Sequence, residues 1–141
     1  MRDRMMQLAY FNSLVKISDA ARKTGVRAYL VGGFVRDLLI GRTSKDIDVC
    51  VIGHPSEETA RRLVSSLPET VRDDIRNDLM RAGGDGDVVR FLSMAGGSIA
   101  LAADLFLSGD GSRPVVYTRF LTAMSAIDGT QVEFTGARHD E

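Results

Sequence analysis

Apolar residues recur along this chain with two different periods, and the changes between the periods mark the predicted helices and strands. Residues 4–24 have apolar side chains at helical spacing and are followed by Gly25, which predicts an opening helix. A second helix is predicted from Ser56 to Pro68, and a third over residues 69–82. The apolar positions of the opening helix are Tyr10, Leu14, Ile17 and Ala21.

Short β-prone runs predict strands between and after these helices. Tyr29–Val31 is apolar and stops at a glycine pair, and residues 34–41 then have the spacing of a short helix. A second strand is predicted from Asp46 to Val51. Asp128-Gly129 lies between two alternating runs, which is the pattern of a two-residue hairpin. The chain is therefore predicted to mix helices and strands.

Residues 83–113 give no single prediction. Their apolar stretch, Ser98–Leu107, lies between glycines and fits either a helix or a strand. Asp85-Gly86-Asp87 lies among glycines and is typical of a turn rather than of a metal site.

The strongest candidate chemistry lies on the second predicted strand. Side chains alternate faces along a strand, so Asp46 and Asp48 point the same way, about 7 Å apart. Two like charges at that distance repel each other unless cations lie between them, and oxygen ligands suit Mg²⁺, with Mn²⁺ as an alternative. We predict a two-metal site held by these aspartates. The alternative is that they only end a strand and begin a loop.

The glycine turn before the short helix is a candidate phosphate site. Gly32 and Gly33 allow the backbone to approach a ligand closely, and N–H groups at a helix start favour phosphate oxygens. Arg36 in the first turn adds a charged donor for a nucleoside triphosphate, whereas Asp37 is predicted to be structural. No Gly-Lys-Ser/Thr follows, so this is not a P-loop.

These two motifs together resemble a known family. Residues 29–51 are similar to the head of the class II tRNA nucleotidyltransferases, which are the CCA-adding enzymes and bacterial poly(A) polymerases of the polymerase-beta nucleotidyltransferase superfamily. The family pattern is Leu-Val-Gly-Gly-x-Val-Arg-Asp-x-Leu-Leu-Gly-(Arg/Lys) and then Asp-(Ile/Val)-Asp, with Ile40 replacing one leucine here. A second stretch, residues 119–123 and 132–138, resembles the family's Phe-Gly-Thr-Ala and (Val/Leu)-Glu-Phe-x-x-Ala-Arg segments.

The resemblance implies a fold and a site. The fold would be α/β (α+β), with a small mixed or antiparallel twisted sheet flanked by helices, as in polymerase-beta-like nucleotidyltransferases. Residues 1–141 would form one catalytic head domain, with about 83–113 as an insertion. Glu133, on the polar face of its strand, would be a third catalytic carboxylate beside Asp46 and Asp48.

The resemblance also implies an activity. The chain would add CMP or AMP from CTP or ATP to the 3′ end of tRNA or another RNA. The family's base-reading segments would lie beyond Glu141, so a C-terminal region or a second chain is expected to supply base selection and RNA binding. Two alternatives remain: a minimal, antitoxin-like AMP transferase, and a non-catalytic binding module that keeps the fold.

Composition and charge indicate which partners and which cellular location to expect. The chain has 18 basic and 19 acidic side chains and a net charge of −1, so it lacks the basic excess of a strong RNA binder. No apolar run approaches the roughly 20 residues that span a bilayer, and no signal peptide precedes the opening helix. The single cysteine, Cys50, is predicted to pack rather than to react. We therefore expect a cytoplasmic protein without a membrane partner.

Overall fold

The structure, a computed structural model, describes residues 2–32, 36, 39–40 and 46–137 of the chain. Its helices there are α1 (Arg2–Thr24), α2 (Glu57–Ser66), α3 (Glu69–Arg81), α4 (Val88–Met94) and α5 (Gly97–Leu107). Its strands are β1 (Arg27–Val31), β2 (Asp46–Ile52), β3 (Val115–Tyr117), β4 (Thr122–Ile127) and β5 (Thr130–Gly136). The predicted helices at 4–24, 56–68 and 69–82 are confirmed; the helix predicted over 34–41 lies largely outside the described residues.

The five strands form one mixed sheet in the order β1-β2-β5-β4-β3. All neighbours are antiparallel except β2 and β5, which are parallel. The pair can be parallel because the chain between β2 and β5 passes through four helices and two strands, which is ample length for a crossover. The α+β class with a small mixed sheet is therefore confirmed.

One face of the sheet forms one side of the hydrophobic core. On β2 the residues Ile47, Val49 and Val51 are buried, and on β5 Val132 and Phe134 are fully buried. On the other face, the described strand side chains are exposed or half-buried. We call this second surface the open face; it consists of the strand positions that alternate with the buried ones.

Helix α5 resolves the ambiguous run at 98–107. Gly97 to Ala103 and Leu105 are all buried, and the helix packs on β2, β4 and β5 beneath the sheet. Because the helix is covered on every side, its sequence is apolar all round and shows no amphipathic period. Packing is closest at Gly97, where a Cβ atom would lie 2.1 Å from the Gly53 carbonyl oxygen. The region expected to be an insertion thus contains the central core helix; its relation to the family stays a prediction.

The predicted hairpin is confirmed and is attached to α1. Asp128 and Gly129 have φ angles of 52° and 79°, the left-handed pair that a type I′ turn requires. Lys16 of α1 forms an ion pair with Asp128 at 2.7 Å, and Ser13 donates a hydrogen bond to the same carboxylate at 3.1 Å. The hydrogen bond from Lys16 lowers the pKa of Asp128 from its usual 3.8 and that from Ser13 adds to this, whereas the Asp128 contact raises the pKa of Lys16.

We expect Asp128→Asn to remove a pH-dependent part of the stability. Asparagine tolerates the left-handed turn but has no charge, so the variant isolates the ion pair. Since the folded-state pKa of Asp128 is lowered, its contribution is present above the unfolded value and is lost as the pH falls through the folded value. Urea unfolding should show the wild type as the more stable protein at neutral pH and equal stabilities below the Asp128 pKa. A difference that persists in acid would contradict this assignment.

Among the described helices, none is by itself long and apolar enough to cross a membrane. Helices α4 and α5 meet that criterion only when they are joined, and they are bent by 115° at the break between them.

Candidate active site

The parallel pairing of β2 with β5 brings two predicted carboxylates side by side. Asp48 lies directly opposite Glu133 in the register of this pair. Their chain neighbours Val49 and Phe134 are also opposite each other and are buried in the core. Alternation along both strands therefore places the Asp48 and Glu133 side chains together on the open face.

Asp46 is the third acidic residue of this surface. It lies opposite Gln131, two residues before Asp48 and on the same face. Asp46 is exposed, whereas Asp48 and Glu133 are half-buried. The expected placement of all three carboxylates on one side of one sheet is confirmed; their roles stay predictions.

The glycine turn touches the carboxylate at the centre of the site. Val31 of β1 is the partner of Asp48 in the antiparallel register, and Gly32 follows it with a φ of 73°. A Cβ atom at Gly32 would lie 3.0 Å from the Oδ2 atom of Asp48. Glycine is thus favoured here twice, by the left-handed backbone and by the close approach to Asp48.

The described hydrogen bonds of Asp48 and Glu133 leave most of their carboxylate oxygens to the open face. Thr135 is two residues beyond Glu133, and its hydroxyl donates to Glu133 Oε1 at 3.5 Å. Within residues 2–32, 36, 39–40 and 46–137, no hydrogen bond or ion pair engages the Asp48 side chain. The half-buried pair therefore has acceptor capacity for a ligand.

Part of the predicted phosphate site lies outside the described residues. This applies to Gly33; Asp37, which was predicted to be structural, also lies outside them. Arg36 is exposed, and its carbonyl oxygen accepts a hydrogen bond from the Ile40 amide at 3.1 Å, which is a helical i to i+4 contact.

The donor set fits a magnesium or manganese ion that is shared with a substrate. Among the described residues, no three His, Cys, Asp or Glu side chains converge closely enough to hold a metal without help. Mg²⁺ is commonly bound by one or two carboxylates together with waters and substrate phosphates, so a complete protein cage is not required. Asp48 with Glu133, and Asp46 beside them, would supply the oxygen ligands for such a site.

Sequence reasoning did not find the side chains around the carboxylates. The open face has a row of residues one step beyond Asp48 and Glu133, in register across all five strands. This second row is Tyr29, Cys50, Thr135, Thr122 and Tyr117. Each strand's alternation predicts its outward residues, but only the strand order shows which of them are neighbours. Cys50 is half-buried in this row.

A separate apolar cavity of about 570 Å³ lies between α1 and β1. Its lining includes Leu14, Ile17, Leu30 and Val49, which belong to the core side of the sheet. Arg27 and Tyr29 of the edge strand β1 also border this cavity, but none of the three carboxylates lines it, so it is not part of the candidate site.

The region that contains the glycine turn and the aspartates is similar to a known protein family. The family described as the Poly A polymerase head domain matches residues 28–88. The matched residues are similar to that family and make up less than half of the chain. The head-domain match includes Gly32, Arg36, Asp46 and Asp48, whereas Glu133 lies beyond it.

Two curated proteins are each similar to part of this chain. A CCA-adding enzyme of Streptococcus pyogenes serotype M2 (strain MGAS10270) is 38% identical over 50 residues, which are 36% of this chain and 12% of that protein. A CCA-adding enzyme of Anoxybacillus flavithermus (strain DSM 21510 / WK1) is 34% identical over 61 residues, which are 43% of this chain and 14% of that protein. The match thus spans less than a sixth of either relative.

Solved structures are similar at lower identity. One is a crystal structure of a tRNA nucleotidyltransferase complexed with a primer tRNA and an incoming ATP analog; it is 24% identical, with a TM-score of 0.43, over 88% of this chain and 23% of that one. An apo tRNA-processing enzyme has the same identity, TM-score and coverage.

Proposed function

We propose that this chain is the catalytic head of a metal-dependent nucleotidyltransferase that adds CMP or AMP from CTP or ATP to an RNA 3′ end, with tRNA CCA addition or repair as the favoured reaction. The observation that carries the proposal is the pairing of Asp48 with Glu133 on the open face, with Asp46 beside them and Gly32 against Asp48. The head-domain match and the names of the two relatives support the reaction class.

The reaction is a substitution at phosphorus. The oxygen of the RNA 3′-hydroxyl attacks the α-phosphorus of the nucleoside triphosphate, and the bond from that phosphorus to the bridging oxygen breaks. The hydroxyl proton is lost to solvent or a carboxylate, and pyrophosphate leaves. Mg²⁺ or Mn²⁺ bound at the site would lower the pKa of the hydroxyl and stabilise the charge that develops on the triphosphate.

The chain's own residues have separate roles in this proposal. Asp46 and Asp48 hold the metals, and the Glu133 carboxylate opposite Asp48 favours the loss of the hydroxyl proton. Gly32 and Gly33 let the backbone approach the triphosphate, and the exposed Arg36 guanidinium binds its oxygens. The absence of a side chain at Gly32 leaves room for the Asp48 carboxylate, because a Cβ atom there would lie 3.0 Å from Asp48 Oδ2.

We further propose that this head depends on additional chain for its choice of base. The proposed phosphate contacts are the same for ATP and CTP, whereas choosing a base requires groups that pair with its edge. The net charge of −1 likewise favours weak tRNA binding. A C-terminal region or a partner chain would supply both, in a cytoplasmic enzyme.

The test is the incorporation of labelled ATP or CTP into tRNA that lacks its 3′ end. We expect slow, Mg²⁺-dependent addition with little choice between the nucleotides. Labelling of a protein instead of RNA would favour the antitoxin-like AMP transferase. Absence of any transfer together with absence of metal-dependent ATP binding would favour the non-catalytic module and would overturn the proposal.

A further inference from the structure

Along the open face of β1, the side chains change from aliphatic to aromatic to cationic with increasing distance from the carboxylates. Val31 lies directly opposite Asp48. Tyr29 lies two residues further from the carboxylate, opposite Cys50, and Arg27 lies another two residues away, opposite Ile52. All three side chains are exposed, and Tyr29 retains 46% of its accessible surface. Successive same-face residues on a strand are about 7 Å apart, so the order is carboxylate, aromatic ring and cation at regular spacing.

This order matches the parts of a nucleotide in an extended single strand. A 3′-hydroxyl held at the carboxylates would place its sugar over Val31, its base beside the Tyr29 ring and a phosphate towards Arg27. Bases stack on exposed aromatic rings in proteins that bind single strands, and arginine neutralises the backbone. Within the part of the chain that the structure describes, Arg27 forms no ion pair, so its charge is available.

We propose that Arg27, Tyr29 and Val31 form the subsite for the 3′-terminal nucleotide of the single-stranded RNA acceptor, with Tyr29 as its stacking platform. The proposal rests on the proposed function and assigns its acceptor side to one edge of the sheet. Strand β1 is the outermost strand beside β2, so a strand of RNA would enter from the edge without crossing the sheet.

The opposite edge of the same face provides a matched control. Tyr117 lies in the same row as Tyr29, is also 46% exposed and is also two residues from a valine, Val115. It differs in position, because β4 and β5 separate its strand β3 from β2 and Asp48. A general affinity of exposed tyrosines for RNA would engage both rings, whereas the proposed subsite engages Tyr29 alone.

The chain has three tyrosines and no tryptophan, so fluorine NMR of the 3-fluorotyrosine-labelled protein reports each ring separately. Single Tyr→Phe variants assign the signals. We expect an oligocytidylate with a free 3′-hydroxyl to shift the Tyr29 signal while those of Tyr10 and Tyr117 stay in place. Tyr29→Ala should weaken oligocytidylate binding roughly tenfold, with Tyr29→Phe and Tyr117→Ala close to wild type.

Several results would overturn this subsite. One is an unchanged Tyr29 signal at millimolar oligocytidylate, and another is an equal shift of the Tyr29 and Tyr117 signals. A Tyr29 shift caused by MgATP alone would assign the surface to the incoming nucleotide. A Tyr29 shift that depends on protein concentration without RNA would assign the surface to a second copy of the chain. Transfer activity with an unresponsive Tyr29 contradicts only the subsite. An RNA-induced Tyr29 shift without transfer and without metal-dependent ATP binding contradicts only the proposed function.

Discussion

Replacing Asp48 with asparagine is expected to lower nucleotide transfer by about a thousandfold, because the charge stabilisation that a bound metal supplies is worth several kcal/mol and each factor of ten corresponds to about 1.4 kcal/mol. Asparagine keeps the size of the side chain and removes only the negative charge. Since Asp48 is half-buried on the open face without a described partner, the fold should tolerate the change. Initial rates of labelled transfer at saturating Mg²⁺, together with thermal unfolding, measure the two effects.

Asp73→Asn is the control for this substitution. Asp73 is also half-buried, but it lies on α3 and pairs with Arg76. Its loss should leave transfer unchanged, because an ion pair on a helix surface contributes less than about 1 kcal/mol to stability. Equal rates for wild type and Asp48→Asn would remove Asp48 from the metal site.

Replacing Gly32 with alanine is expected to weaken metal-dependent ATP binding by about 10- to 100-fold, the range typical of groups that orient metal ligands. The new Cβ would lie 3.0 Å from Asp48 Oδ2, so the carboxylate must move. The positive φ of 73° adds a backbone cost of about 1–2 kcal/mol for any residue with a side chain. Calorimetric titration of ATP with Mn²⁺ measures the binding loss.

Gly25→Ala separates these two effects. Gly25 also has a positive φ, 79°, but a Cβ atom there meets nothing within 4 Å. Both variants should lose a similar amount of unfolding free energy, while only Gly32→Ala should lose ATP affinity. An equal loss of ATP affinity in Gly25→Ala would show that the weaker binding follows from lower stability, and it would contradict the role of Gly32 beside Asp48.

The elements with a clear local signal could be predicted from the sequence. The opening helix, the Asp128-Gly129 turn and the outward direction of Asp46, Asp48 and Glu133 each follow from a spacing of a few residues. Such patterns are local because side-chain direction repeats every 3.6 residues on a helix and every two on a strand. The structure adds the pairing of Asp48 with Glu133, which required the parallel register of β2 and β5.

The features that depend on distant partners could not be predicted. Helix α5 is buried on all sides, so its apolar run has no period that would distinguish a helix from a strand. The neighbours of Asp48, such as Tyr29 one step away on β1, follow from strand order, which no local pattern encodes. The lack of room for a Cβ atom at Gly32, which would lie 3.0 Å from Asp48 Oδ2, likewise appears only when β1 and β2 are paired.

The most direct test of the central claim is a crystal of this chain grown with Mn²⁺ and a non-hydrolysable ATP analogue, measured at the manganese absorption edge. The proposal predicts an anomalous peak in contact with the Asp48 carboxylate, near Asp46 and Glu133 on the open face, with triphosphate oxygens completing its coordination. A bound analogue whose manganese contacts none of these three carboxylates would contradict the proposal.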